Sequence, residues 1–158
     1  MDKKDKNNKI QYLRRSYFAT DGLWFLMMEK YLSPEKAFAV DKEVWEILPK
    51  IQAREAKKLL GINHNTTTNL FKALKLKLEA EGYNFHQKIE NDPPLLVIYS
   101  CPWHGIVKKS KREHLSIDVI CKIDFQTWVN EFSLPLRVKI DSALCRGSSY
   151  CQLLFLKE

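Results

Sequence analysis

The sequence is poor in residues that break structure. Five glycines and six prolines among 158 residues exclude collagen-like and low-complexity classes. Its apolar runs stop short of the about 18 residues that a membrane-spanning helix needs, so no such helix is expected. Cysteine is absent before Cys101. No P-loop, G-x-G-x-x-G, H-E-x-x-H or G-x-S-x-G occurs, which leaves nucleotide-dependent and lipase-type chemistry without a motif. The N-terminal Met-Asp-Lys-Lys stretch leads into no apolar h-region, so no secretory signal is expected. The reading that follows is a cytoplasmic chain with reduced thiols.

What is present is enough for one folded domain. Hydrophobic residues make up 45% of the chain, which excludes global disorder. The net charge of +7 is patchy. Residues 1–15 hold six basic and two acidic groups, and residues 49–82 hold seven and three. Lys108, Lys109, Lys111 and Arg112 form a third basic segment with no acid in it. The remaining chain is net acidic. Patches of this kind attract phosphates or carboxylates, or simply face water.

Periodicity predicts helices first and strands second. Residues 1–8 are expected as a flexible polar arm, and 9–158 as one α+β domain. Its helical part is 9–82 and its sheet part 83–158. Ile10, Leu13, Tyr17, Trp24, Met27, Met28 and Tyr31 recur at helical spacing, with Gly22 a candidate kink or break. Ser33-Pro34-Glu35 starts a second helix, expected to bury Ala37, Val40, Val44, Ile47 and Leu48 and to end or bend at Pro49. A third helix is expected over 50–60, stopping at Gly61. A fourth begins near Asn65 or Thr66 and stops at Gly82. Alternation then predicts strands over 83–89 and 137–144, a short apolar run suggests a buried strand over 95–101, and 150–156 reads as a final strand. Residues 102–116 read as a loop, and 117–132 as helical in their second half. The expected fold is α+β: about four N-terminal helices, then a small antiparallel sheet with an inserted helix.

Several residue sets carry chemistry. Asp21 lies in line with the apolar stripe of the first helix. It is a candidate general acid or base beside Trp24; a local cap, or an ion pair with Arg112 or Arg137, is the plainer alternative. Cys101-Pro-Trp-His104 brings a thiol and an imidazole close in sequence. Cys101, Cys121, Cys145 and Cys151 are candidate ligands for zinc or an iron–sulfur cluster, or simply buried thiols. The basic segment ending at Arg112 is a candidate clamp for an anionic small molecule, and Trp103 stands beside it in the same loop. Residues 53–82 also have a helix-turn-helix look. Thr67, Thr68 and Asn69 would then face bases, His64 or Asn65 phosphate, and Lys72, Lys75 and Lys77 would line the second helix.

Three strings resemble one family. Ser16-Tyr-Phe-Ala-Thr-Asp-Gly-Leu-Trp-Phe25, Val44-Trp45 and Ala53-Arg-Glu-Ala-Lys-Lys-Leu-Leu-Gly61 are similar to the N-terminal half of a branch of the L-2-amino-thiazoline-4-carboxylic acid hydrolase-like proteins. Cys101, Arg112, Cys121, Cys145 and Cys151 with Phe155 look like positions of its second half. The stretch Leu144 to Cys151 is more compact than the family's usual Cys-Pro-rich connection. The resemblance implies an α+β domain and hydrolysis of a cyclic amidine that bears a carboxylate. In that scheme Asp21, Cys101 and His104 are catalytic, with Cys101 or a bound metal supplying or activating the nucleophile. Trp24, Trp103 and Arg112 hold the ligand, and the four cysteines hold any metal. The alternative is a DNA-binding regulator using residues 53–82. Neither reading involves a membrane.

Overall fold

The computed structural model describes residues 2–158. The fold is α+β. Helices α1 (Lys3–Tyr31), α2 (Pro34–Leu60) and α3 (Thr67–Glu81) precede strands β1 (Asn84–Lys88) and β2 (Leu95–Ser100). Helices α4 (Pro102–Lys109) and α5 (Ile117–Glu131) follow, then β3 (Leu136–Ser142), a 3-10 turn and β4 (Cys151–Lys157). The four strands form one antiparallel sheet in the order β1-β2-β4-β3. Among the described residues, no helix is long and apolar enough to cross a membrane.

The helix ends follow from local chemistry. The Lys36 backbone N–H donates to Ser33 Oγ at 3.3 Å, and Pro34 occupies the first turn of α2. The Asn69 N–H donates to Thr66 Oγ1 at 3.1 Å, which caps α3. Five expectations change, one being that residues 117–131 are helical throughout and not only in their second half. Residues 3–8, expected as a polar arm, form the first turns of α1. Gly22 does not divide α1. Pro49 does not end α2, which runs through it with the ring fully buried. Residues 102–109, expected as loop, form α4, with Pro102 in its first turn.

The core lies between one face of the sheet and helices α2, α3 and α5. Leu96 and Ile98 of β2, Leu153 and Phe155 of β4, and Val138 of β3 share that face, as their registry requires. Opposite them pack Leu70, Phe71, Leu74 and Leu78 of α3, and Phe125, Trp128 and Val129 of α5. Helix α2 buries Ala37, Trp45, Pro49, Ala53 and Ala56. Val40, Val44 and Ile47 were expected inside, but they are exposed or nearly so. Small residues on the buried stripe let α2 approach its neighbours closely.

Helix α1 is fastened to the end of α3. Arg14 Nε donates to the Ala80 carbonyl at 2.8 Å, and Arg14 Nη2 to that of Glu79 at 2.9 Å. Both acceptors belong to the last turn of α3, where unpaired carbonyls favour a cation. Gly82 closes that helix at φ 85°, and a Cβ there would meet Arg14 Nη1 at 2.5 Å. Two penalties therefore coincide at one residue: a left-handed backbone and a displaced cap. Gly82→Ala is expected to lower unfolding stability by about 1–2 kcal/mol, read from the urea midpoint.

Candidate functional site

A cavity of about 400 Å³ opens beside the core. Helix α1 contributes Phe18, Asp21, Gly22 and Phe25, and α2 contributes Phe38, Asp41 and Trp45. Helix α4 adds Trp103 and His104, while α5 adds Ile120, Cys121 and Asp124. Ile98, Ile140 and Leu153 close it from the sheet. The walls are mostly apolar, with a few polar groups converging.

Trp103 ties these elements together. Its ring meets Phe18, Trp45 and Tyr17 edge-on, with centroids 4.5, 5.5 and 5.7 Å away. Such contacts suit the aromatic quadrupole and fix α4 against both long helices.

Of the nine residues singled out from sequence, the cavity gathers Asp21, Cys101, Trp103, His104, Arg112, Cys121, Cys145 and Cys151. Trp24 is the exception. It is 67% exposed and lies on the side of α1 nearly opposite the cavity-facing arc of Phe18, Gly22 and Phe25. It is not among the lining residues.

The expected zinc or iron–sulfur site of Cys101, Cys121, Cys145 and Cys151 is not formed. Among the described residues, no three His, Cys, Asp or Glu side chains converge as metal ligands would. The four thiols sit on separate elements, and none is paired in a disulfide. Two of them serve the backbone: Cys101 Sγ accepts from the His104 N–H at 3.5 Å, and Cys151 Sγ from the Leu144 N–H at 3.2 Å. Burial pushes all four free thiols up, Cys151 to about 11. At Cys101 the helix N-terminus favours the thiolate, but burial outweighs it, so the thiol stays neutral near pH 7.

Arg112 is already engaged. Its Nε and Nη2 donate to Glu29 Oε2 at 2.9 and 2.6 Å, and its Nη1 to the Ser110 carbonyl at 3.1 Å. The guanidinium expected to clamp an anion instead joins the end of α4 to α1. The alternative ion pair expected between Asp21 and Arg112 or Arg137 does not form either. In the segment with a helix-turn-helix look, Asn69 Nδ2 donates to the His64 carbonyl at 2.8 Å, and Lys77 points inward.

Sequence reasoning misread one group, by setting Lys77 on a DNA-facing helix surface, and missed a second. The first is Lys77 with Asp124 and Glu81. Lys77 Nζ is 2.7 Å from Asp124 Oδ2 and 3.4 Å from Glu81 Oε2, all buried. The ammonium also lies 5.7–6.0 Å from the ring centroids of Phe125, Trp45 and Tyr83. Burial opposes its charge, but Asp124 and Glu81 hold it protonated. The signal lay in the stripe Leu70, Leu74, Lys77, Leu78, Glu81, where two charged residues interrupt one apolar face.

The second is Asp41, which faces the cavity with Asp21. Burial and, less strongly, the Asp21 carboxylate together raise Asp41 to about 6, with hydrogen bonding to Trp45 opposing both. Burial raises Asp21 as well. Among the described residues no cation pairs with either carboxylate. Buried polar atoms without a hydrogen-bond partner cluster nearby: Asp124 Oδ1, His104 Nδ1, Trp103 Nε1 and Tyr17 OH.

These two groups respond oppositely to removal. Lys77→Met strands two buried carboxylates and is expected to destabilise the fold by about 3–5 kcal/mol in urea titration. Asp41→Asn removes a charge that the fold disfavours. Its folded pKa lies above the unfolded value, so the wild type gains stability as pH falls from above 6 toward 4. The variant is therefore expected to be more stable than wild type by about 1–2 kcal/mol near pH 7.5, after allowance for solvent screening. Thermal melts at pH 7.5 and pH 4 check this, because the difference should vanish at the lower pH.

No curated protein and no solved structure matches this chain. A family model does, over residues 1–145, which takes in both long helices, the two acids Asp21 and Asp41, and the buried Lys77 cluster. By that match the chain belongs to a family of unknown function, DUF6125.

Proposed function

We propose that this chain is a small-molecule-binding protein whose ligand occupies the cavity between α1, α2, α4, α5 and the sheet. The observation that carries this reading is the cavity itself: about 400 Å³, mostly apolar, with a few polar groups converging. Ligand sites are typically of that size and character. Gly22 adds support. It sits in the middle of α1 on the cavity side, where a Cβ would meet nothing within 4 Å. A glycine there weakens the helix and leaves room in the cavity. The four unpaired thiols accord with a reducing compartment such as the cytoplasm.

Turnover is a second reading, and the Asp21–Asp41 pair favours it. Two neighbouring carboxylates in one apolar site titrate apart, so one can give a proton while the other takes one. Hydrolysis of a cyclic amidine, which the family resemblance implies, would draw on that pair. Cys101 is a weaker candidate, since its thiol is neutral and capping α4.

Neutral probes of cavity size test the binding reading. Cyclohexanol and 2-phenylethanol are expected to shift the intrinsic tryptophan fluorescence saturably, through Trp45 and Trp103, and to raise the melting temperature. Gly22→Leu is expected to keep the helix and abolish both effects by filling the space. Equal probe responses in wild type and Gly22→Leu would sink the reading.

A further inference from the structure

The cavity's charges are unequal in a way that selects a ligand. Each cation near it is already matched. Lys77 faces Asp124 and Glu81, Arg112 is held by Glu29, and Arg146 Nη2 is 2.7 Å from Asp118 Oδ2. Lys108, Lys109 and Lys111 are exposed or near the surface on the loop side, where water and salt screen them. Among the described residues, no cation forms an ion pair with Asp21 or Asp41, which both line the cavity. Independently, Asp124 lines the same cavity at 4% exposure, and its Oδ1 is an acceptor without a partner. The uncompensated charge inside is therefore negative, while Trp103 Nε1, a donor without a partner, leaves room for one acceptor on the ligand.

We infer that the ligand is a hydrophobic cation: a protonated amine or amidine set between the Asp21 and Asp41 carboxylates, with an apolar or aromatic body against Phe18, Phe25, Phe38 and Ile120. This rests on the cavity being a ligand site and adds the ligand's chemical class. The argument is one of desolvation. A carboxylate in apolar surroundings is poorly solvated, so an incoming ammonium replaces missing water and forms charge-assisted hydrogen bonds. An anion meets the reverse: two like charges and no free donor cation. The anionic ligand expected from the basic segment at Lys108 to Arg112 is thus disfavoured by the interior, whatever the rim attracts.

Three probes of matched shape separate this inference from the reading beneath it. They are 2-phenylethylamine, 2-phenylethanol and 3-phenylpropionate, titrated calorimetrically into the intact chain at pH 7.5. The amine is expected to bind at least about tenfold more tightly than the alcohol, and the propionate more weakly than either. In Asp41→Asn and Asp21→Asn the amine-to-alcohol affinity ratio is expected to fall toward one. An amine no tighter than the alcohol in wild type overturns the inference and leaves small-molecule binding standing; that comparison needs no variant. A ratio that survives both substitutions also overturns it. Absence of binding by all three probes overturns the binding reading and this inference together.

Discussion

Lys77 is the constraint around which the helical layer is arranged. A lysine ammonium survives inside a protein only beside matched carboxylates, and this one has Glu81 one turn along its own helix and Asp124 on α5. Its contact with Asp124 links α3 to α5 across the space beneath the cavity. Tyr83, Trp45 and Phe125 surround the same nitrogen, so one point charge touches the turn before β1, helix α2 and helix α5. Hydrophobic burial supplies most of the stability of such a domain. The charge cluster instead restricts which packing is allowed, because any shift of α5 along α3 would leave a bare ion in apolar surroundings.

The order of helices and strands was legible because long periodic segments state their type clearly. The phase of α2 was not. Two stripes compete on that helix: Val40, Val44, Ile47 and Ile51 on one side, and Ala37, Asp41, Trp45 and Ala53 on the other. Branched aliphatics make the first stripe look like the core. The fold buries the second, whose small residues permit close helix contact and whose acid faces the cavity. Pro49 reads as a stop because it lacks an amide hydrogen, yet burial within a helix packed on several sides keeps the helix whole. Much of the site could be assembled from sequence because its residues stand out chemically. Asp41 and Lys77 did not stand out, since isolated charges on helices are ordinarily solvated. Only their position within an apolar stripe distinguished them.

The cysteines illustrate how proximity differs from convergence. All four border the same cavity. Each is nonetheless committed elsewhere or held neutral: Cys101 to the start of α4, Cys151 to the Leu144 amide, Cys121 deep in α5, and Cys145 in the turn before β4. They act as small, polarisable wall residues that fill space between aromatic rings and the sheet. That leaves the carboxylates as the chemically distinctive groups of the cavity.

Helix α1 forms one wall of that cavity and is secured at two points by unlike bonds. Before its midpoint, Arg14 is bound to backbone carbonyls of α3, and near its finish Glu29 is bound to the Arg112 guanidinium. The second fastening opposes two full charges at a partly buried site, so ionic strength acts on it where it has little hold on the neutral acceptors of the first, though burial limits the screening. The helix therefore behaves as a gatepost with a fixed hinge side and a latch side, and dissolved salt acts on the latch.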